Sequence, residues 1–289
     1  MDIGYYNGTI APLNELTIPM NDRVVYFGDG VYDATMAYEG CILDFTDHVD
    51  RFISSLNKLS MPLPLPREEL CGELRRIAAM GEKGTWYMLY WSATRGTAPR
   101  RHAFPADTSS NLIITLTQQK GMGNPDEPMR LVTFEDKRFS YCDIKTLNLI
   151  PSCLAAQAAE EAGCNEAVFH REEIVTECAH SNLSILRDGA FVTAPADHWI
   201  LPGIARKNLI RCAGNAGIPV IERHYTLEEL FAADEIIVSS SSHQLIPACE
   251  IDGKPVGGKA PQLLRRLWAE LAQHINAQFP VPAVNEGAL

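Results

Sequence analysis

QKGMGNPDEP, at residues 119–128, is the stretch that divides this 289-residue chain. It is polar, it contains two glycines and two prolines, and apolar strand-like runs lie on both sides of it. Clusters of this kind mark turns and interdomain linkers. We therefore predict two domains, residues 1–120 and residues 121–289. Two α+β domains joined by a short linker leave a cleft in which ligands tend to bind.

Apolar spacing before the linker predicts a strand that runs into a helix over residues 41–61, with Thr46 as its cap. A second helix is predicted from Pro66 to Gly81, and strands are predicted from Thr85 and from Asn111. The apolar stripes of the two helices are Val49, Phe52, Ile53, Leu56 and Leu59, then Leu70, Leu74 and Ile77.

The chain after the linker alternates between strand-like and helical patterns. Its strand-like runs are LVTF at 131–134, EAVFH at 166–170, AFVTA at 190–194 and EIIVS at 235–239. Helices are predicted to begin near Ser152, Ile204, Thr226 and Pro261. This alternation predicts a larger carboxyl-terminal domain, again of mixed helix and strand.

Composition limits the partners of the protein. The formal net charge is −11, which disfavours nucleic acid and anionic membranes as partners. We find no secretory leader, no apolar run of the ~18 residues that a spanning helix needs, and no CxxC among eight cysteines. We therefore expect a cytoplasmic protein with free thiols.

Two familiar site types are disfavoured by the sequence. GKPVGGK at 253–259 fits the phosphate-loop spacing, but Ala260 stands where that loop needs a Ser or Thr for magnesium. The eight histidines form no HExxH and no close pair, so we predict no metal site.

Three other features fit the needs of pyridoxal phosphate. Lys145 lies in a mostly apolar stretch, where a desolvated amine could form a Schiff base. Glu177, after a predicted turn at Arg171–Glu173, could keep a ring nitrogen protonated. LPGIAR at 201–206 predicts a helix start whose amides could bind a phosphate, and the serines at 239–242 could add hydroxyls. Each feature alone is equally typical of surface residues and loops that bind nothing.

Together, several segments resemble the fold-type IV (class IV) pyridoxal-phosphate aminotransferases, and among them the D-amino acid aminotransferases. The segments are DRVVYFGDGVYDA (22–34), HVDRF (48–52), TRGTAPRRH (94–102), CDIKTLNL (142–149), EAVFHREEIVTE (166–177), ILPGIAR (200–206) and IPACEIDG (246–253). The resemblance runs almost end to end. It implies a two-domain α+β enzyme with the cofactor, pyridoxal 5′-phosphate, in the interdomain cleft.

The resemblance also implies roles for individual residues. Lys145 would be the catalytic lysine that holds the cofactor and moves the substrate proton. The residues implied to bind the cofactor are Arg51, Lys145, Glu177, Leu201, Ile204, Ala205, Ser240 and Ser241. Those implied to bind the substrate carboxylate are Tyr32, Arg100 and His102. In the family, some of the residues that bind the substrate carboxylate come from the neighbouring subunit, so the resemblance implies a homodimer.

Three positions depart from the pattern of the relatives. His180 replaces a hydroxyl residue in the run Cys178–Asn182, Asp33 stands where relatives have Glu, and Ala205 stands where a Thr is frequent. These changes leave the cofactor prediction intact and bear on the substrate range.

The implied reaction is transamination of D-amino acids, for example D-alanine with 2-oxoglutarate to give pyruvate and D-glutamate. Two alternatives share the fold, a branched-chain L-amino acid aminotransferase and an aminodeoxychorismate lyase. A non-catalytic protein that binds pyridoxal phosphate is the alternative from a different class.

Overall fold

The computed structural model describes residues 2–289, which form two compact units. The first comprises the chain up to Gly121 together with Ile144–Asn148, and the second comprises Met122–Asp143 together with Leu149–Leu289. The segment that holds Lys145 thus belongs to the first unit, although it follows the linker in sequence. The domain boundary at residue 120 stays a prediction.

An antiparallel sheet forms the centre of the first unit. Its strands are β1 (Ile3–Tyr6), β2 (Thr9–Pro12), β3 (Gly30–Tyr38), β4 (Cys41–Ile42), β5 (Trp86–Thr94) and β6 (Asn111–Gln119). Their order across the six-stranded sheet is β2-β1-β6-β5-β3-β4. The strands predicted from Thr85 and Asn111 are confirmed as β5 and β6.

Three α-helices accompany this sheet: α1 (Arg23–Phe27), α2 (Phe45–Lys58) and α3 (Arg67–Ala78). The predicted stripes of α2 and α3 are confirmed, because both helices place them in the core of the unit. Burial of one such Leu or Phe contributes about 1.5–3 kcal/mol. The first unit therefore has a core of its own.

The prediction that Thr46 caps α2 was wrong. The backbone amide of Leu43 still donates to the carbonyl oxygen of Met36 at 2.9 Å, which holds the chain to β3. The chain therefore turns at Asp44, with φ 47°, and the helix begins at Phe45. Thr46 consequently lies inside the first turn.

The second unit contains a larger, mixed sheet. Its strands are β7 (Met129–Glu135), β8 (Glu166–Arg171), β9 (Ile174–Cys178), β10 (Asn182–Arg187), β11 (Ala190–Thr193), β12 (Val220–Glu222), β13 (Tyr225–Thr226), β14 (Glu235–Ser239), β15 (Ile246–Ile251) and β16 (Lys254–Pro255). The order is β12-β11-β10-β14-β15-β7-β8-β9-β13, and β16 pairs with β15. The four strand-like runs predicted after the linker are confirmed within β7, β8, β11 and β14.

Four helices complete this unit: α4 (Ile150–Glu161), α5 (Ile204–Asn215), α6 (Leu227–Ala232) and α7 (Pro261–Asn276). Thr226 caps α6 through a reciprocal capping box with Glu229. The GKPVGGK stretch begins in the turn between β15 and β16, where Gly253 has φ 72°. None of the helices within residues 2–289 is long and apolar enough to cross a membrane.

Candidate active site

The candidate site residues divide between the two units. The first unit holds Tyr32, Arg51, Arg100, His102 and Lys145. The second unit holds Glu177, Leu201, Ile204, Ala205, Ser240 and Ser241. Each set is described within its own unit.

Lys145 is half-buried in an irregular segment tied to β3 by its backbone. Its carbonyl oxygen accepts from the Tyr32 amide at 2.9 Å, and its own amide donates to Ser55 Oγ at 3.2 Å. Lys145 Nζ lies 4.4 Å from the centroid of the Tyr32 ring, which stacks on Tyr90 at 5.2 Å. The structure thus places the lysine amine over an aromatic face.

Asp33 is a buried carboxylate on the core-facing side of β3, next to two basic residues of α2. Arg51 donates to it twice, from Nε to Oδ2 at 2.9 Å and from Nη2 to Oδ1 at 2.7 Å. His48 Nδ1 lies 2.7 Å from the same Oδ1. Because His48 and Arg51 are three residues apart on a helix, both face the same strand. Asp33 therefore fixes one edge of the Arg51 guanidinium.

The charges of this cluster follow from burial and pairing. Burial acts to raise the pKa of Asp33, but Arg51 and His48 hold that pKa well below its ordinary value. Burial lowers the pKa of His48, so its imidazole is neutral near pH 7 and donates Nδ1–H to Asp33. The cluster thus keeps an ionised Asp33 against the cationic Arg51. Sequence reasoning missed it, although buried ionic residues need partners.

Arg100 and His102 both lie close to one aromatic ring, that of Phe27. The guanidinium carbon of Arg100 is 5.4 Å from the centroid of the Phe27 ring, and the His102 ring centroid is 5.2 Å from it. Both side chains are exposed. The two implied carboxylate ligands are therefore neighbours, held at the end of α1.

A buried ionic network, which we call the Arg23 latch and which consists of Arg23, Asp29 and Arg95, anchors the backbone of this loop. Arg23 Nε donates to Asp29 Oδ2 at 2.7 Å, and Arg95 Nε donates to both oxygens of Asp29 at 2.9–3.0 Å. Arg23 Nη1 donates to the carbonyl oxygen of Arg101 at 2.6 Å, and Nη2 donates to that of His102 at 3.3 Å. The latch thus holds the loop through its main chain.

Glu177, the next-to-last residue of β9, is a buried carboxylate whose two oxygens both have partners. Oε1 pairs with Arg138 Nη1, while Oε2 accepts from Asn182 Nδ2 at 2.8 Å and from the Leu201 amide at 3.1 Å. Arg138 also forms a two-pronged pair with Asp136, with both distances 2.9 Å. Burial opposes the charge of Arg138, but Glu177 and Asp136 keep its pKa above the ordinary value. Glu177 thus faces a permanent cation.

Asn182 links Glu177 to the start of α5. Its Nδ2 also donates to the Leu201 carbonyl oxygen at 3.0 Å. A Cβ on Gly203 would lie 1.8 Å from Asn182 Oδ1, so only glycine fits at that position. The predicted helix start near Ile204 is confirmed, because α5 begins at that residue and Gly203 precedes it.

The first turn of α5 offers backbone amides for an anion. The first helical hydrogen bond runs from the Lys207 amide to the Gly203 carbonyl oxygen at 3.0 Å. The preceding amides, those of Ile204 and Ala205 among them, lack intrahelical acceptors, and the helix dipole adds positive potential there. This is the ordinary geometry of a phosphate site.

A tight turn after β14 brings hydroxyl groups to the same region. Ser239 pairs with Asn182 across the sheet. The turn closes because the Ser240 amide donates to the His243 carbonyl oxygen at 2.9 Å, and Gln244 Nε2 donates to the Ser240 and Ser241 carbonyl oxygens. The buried Ser239 Oγ has no hydrogen-bond partner among residues 2–289. Amides, hydroxyls and this unsatisfied oxygen form a donor set that fits a phosphate.

His180 has a carboxylate partner that sequence reasoning did not identify. Its Nδ1 pairs with Oε2 of the buried Glu166, which also accepts from Ser181 Oγ at 3.0 Å. His180 lies in the turn between β9 and β10, which the Cys178 amide closes by donating to the Ser181 carbonyl oxygen at 2.7 Å. No cluster of three or more His, Cys, Asp or Glu suited to a metal occurs within residues 2–289.

Known proteins resemble this chain over nearly its whole length. Residues 30–251 match the family model of amino-transferase class IV. A D-alanine aminotransferase of Staphylococcus haemolyticus is 36% identical over 279 residues, which cover 95% of this chain and 98% of its own. A D-alanine aminotransferase of Listeria monocytogenes is 35% identical over 274 residues, covering 93% of this chain and 94% of its own.

Solved structures agree on the fold. A branched-chain aminotransferase from Thermoproteus uzoniensis, solved with norvaline, has a TM-score of 0.84 at 24% identity and covers 94% of each chain. A branched-chain amino acid aminotransferase from Escherichia coli has a TM-score of 0.84 at 21% identity and covers 96% of each chain. With the match over residues 30–251, the chain belongs to the class IV aminotransferases.

Proposed function

We propose that the protein is a D-amino acid transaminase whose cofactor is pyridoxal 5′-phosphate. The observation that carries the proposal is Glu177, a buried carboxylate held between Arg138 and Asn182 beside a set of phosphate donors. The preference for D-substrates is supported by relatives at 35–36% identity that are D-alanine aminotransferases.

Bound pyridoxal phosphate supplies an electron sink that stabilises negative charge on the substrate Cα. Glu177 makes this possible by keeping a proton on the ring nitrogen. Its carboxylate is held on one side by Arg138 and on the other by Asn182 and the Leu201 amide. A carboxylate so fixed has little freedom to turn away from the ring nitrogen.

Lys145 holds the cofactor and then moves the proton to and from the substrate Cα. The Lys145 carbonyl oxygen and amide are both hydrogen-bonded, to Tyr32 and Ser55, so only the side chain is free to reorient. Proton transfer to and from the substrate uses the amine in its neutral form.

The cofactor phosphate would be held by the Ile204 and Ala205 amides, by the hydroxyls of Ser240 and Ser241, and by Arg51. Leu201 would pack against the cofactor ring. Ala205 contributes only its amide, because it carries no hydroxyl. Asp33 contributes indirectly, since its two hydrogen bonds set the direction of the Arg51 guanidinium.

The substrate α-carboxylate is bound by Tyr32, Arg100 and His102. A guanidinium suits a carboxylate because it can donate two parallel hydrogen bonds. The placement of Arg100 and His102 around Phe27 supports a joint role. Which face of the carboxylate they hold decides between D- and L-substrates.

A homodimer is the proposed working unit. Apolar side chains are exposed near the Arg100 loop: Met20 is 83% exposed, Val25 51% and Phe104 59%. Exposed apolar groups of this size are typical of an interface. A second copy would cover them and would share the carboxylate ligands between the two sites.

We propose the cytoplasm as the location of the enzyme. All eight cysteines are free thiols in the structure. Free thiols are typical of a reducing compartment.

The test is a spectrophotometric screen of paired D- and L-amino acids with 2-oxoglutarate. We expect turnover of D-alanine and little turnover of L-alanine or L-leucine, and K145A should be inactive with every pair. Borohydride reduction should fix the cofactor on the peptide that contains Lys145. Faster turnover of L-leucine than of D-alanine would refute the proposal.

Branched-chain L-amino acid transamination is the second candidate, because the two solved structures described above are named branched-chain aminotransferases. The same screen separates the two. Release of pyruvate from aminodeoxychorismate would indicate the lyase, and failure to turn over any substrate would indicate a non-catalytic binding protein.

A further inference from the structure

We propose that His180, oriented by Glu166, is a specificity-determining residue that binds the side-chain carboxylate of acidic amino acids and dicarboxylic 2-oxo acids. This inference rests on the proposed transamination, because it names the residue that binds the substrate side chain, the part of the substrate beyond the reacting Cα.

The turn that carries His180 is rigid and belongs to the cofactor side of the second unit. It joins β9, which ends with Glu177 and Cys178, to β10, which begins with Asn182. Asn182 donates to Glu177 at 2.8 Å, so the two ends of the turn are bonded to each other. His180 is therefore held at a fixed offset from the carboxylate that serves the ring nitrogen.

Glu166 holds one edge of the imidazole and leaves most of the ring accessible. Glu166 is 1% exposed, whereas the His180 side chain is 70% exposed. Glu166 Oε1 accepts from the Ala167 amide at 2.9 Å, and Oε2 is shared by Ser181 and His180. A buried carboxylate needs a cationic or hydrogen-bonded partner, so it retains His180 in this orientation. When protonated, an imidazole in this setting donates to an incoming carboxylate.

A second imidazole, that of His243, lies on the neighbouring turn and stays neutral. Its Nδ1 is 2.9 Å from Ser242 Oγ, and Gly123 packs so closely that a Cβ there would lie 2.4 Å from the ring. Burial lowers the pKa of His243, and the positive charge of His180 lowers it further. Of the two histidines, His180 is the exposed one, so its ring is the one that an anion can reach.

This arrangement favours a substrate carboxylate over the cofactor phosphate. The phosphate already has the α5 amides and the serines of the turn at 240–243 as donors, whereas His180 lies two residues beyond the end of β9, the strand of Glu177. A ligand near the ring end with a negative side chain is an acidic amino acid or its 2-oxo acid.

The test compares two acceptors in the holoenzyme. H180S should lower kcat/KM for 2-oxoglutarate by about 10- to 100-fold, the value of one hydrogen bond to a charged group, and should change kcat/KM for pyruvate less than about twofold. H180N, whose amide can still donate a hydrogen bond to a carboxylate, should lose less than H180S does. H274S, on α7, is the matched control and should match the wild type with both acceptors.

Glu166 is tested as a positioning residue through a double-mutant cycle. E166Q should lower kcat/KM for 2-oxoglutarate less than H180S does, and the double variant should be no worse than H180S alone. Additive losses would refute the claim that Glu166 acts through His180.

Equilibrium binding separates this proposal from the transamination itself. Calorimetric titration with glutarate and butyrate, which cannot react, should show tighter binding of glutarate to the wild type and loss of that preference in H180S. The affinity for pyridoxal phosphate, followed by absorbance, should be equal in both proteins.

Equal losses for 2-oxoglutarate and pyruvate, an unchanged glutarate preference or a weakened cofactor affinity would each overturn the proposal. A wild type that transaminates no D-amino acid but keeps the glutarate preference would overturn the proposed function instead.

Discussion

Replacement of Arg23 by lysine should loosen the loop that holds Arg100 and His102. Lysine keeps the positive charge and can still pair with Asp29, but a single ammonium cannot also reach the carbonyl oxygens of Arg101 and His102. Hydrogen bonds to a charged group contribute about 1.5–3 kcal/mol each. Since one of the two lost bonds is long, at 3.3 Å, we take the lower end of that range.

The expected loss of unfolding free energy is then about 3 kcal/mol, or about 6–12 °C in Tm at about 2–4 °C per kcal/mol. Thermal unfolding followed by circular dichroism measures it. KM for D-alanine should rise by about tenfold with kcat little changed, because a mobile loop weakens ground-state binding of the carboxylate. The cofactor spectrum should stay that of the wild type.

R101K is the matched control, because the latch uses the carbonyl oxygen of Arg101 while its side chain is exposed. It should unfold within about 0.5 kcal/mol of the wild type. An R23K protein with the Tm and KM of the wild type would refute the latch. A lower Tm with an unchanged KM would support the stabilising role of the latch but would show that the loop does not bind the substrate.

Three further predictions concern the cofactor, acid stability and assembly. E177Q should fold and bind pyridoxal phosphate but transaminate poorly, since an amide cannot keep the ring nitrogen protonated; turnover at the wild-type rate would contradict this role. Because the pKa of Asp33 lies below its ordinary value, its contribution to stability is full above about pH 5 and is lost as the pH falls below about 4. Urea unfolding of wild type and D33N should therefore show a gap in unfolding free energy that narrows on acidification, and a widening gap would be inconsistent with an ionised Asp33. Light scattering should give a mass of about 64 kDa, twice the 31.9 kDa chain, and an active monomer would exclude the shared site.

Elements with strong apolar periodicity could be predicted from the sequence. One face is buried in each of the helices α2, α3 and α7 and in the strands β5 and β6. Burial of one face requires apolar residues at a regular spacing, and that spacing is visible in the sequence. Helix α1 has only five residues, Arg23–Phe27, which is too short for a period to appear. The N-cap position of α2, Asp44, was missed because it depends on where the chain leaves β4.

The ionic partners of the site could not be predicted in the same way. Arg23 reaches carbonyl oxygens 78 and 79 residues further along the chain, and Glu177 pairs with Arg138 across 39 residues. A pattern of residue types does not predict which charged residues, far apart in the chain, form ion pairs, because the order of the strands in the sheet determines those pairs. The motifs therefore indicated Lys145 and Glu177 but gave no sign of Arg138 or of Glu166 beside His180.

The Arg23 latch has a consequence for how this enzyme can evolve. It grips carbonyl oxygens, which every amino acid possesses, so the loop keeps its course whatever side chains occupy positions 100–102. Mutations there leave these main-chain hydrogen bonds in place and remove only the side-chain contacts of Arg100 and His102 with Phe27. A library randomised at Arg100 and His102 should consequently yield mostly folded proteins, whereas one randomised at Asp29 should not. Given the proposed role of Arg100 and His102, we expect single substitutions at the loop surface to change the substrate preference.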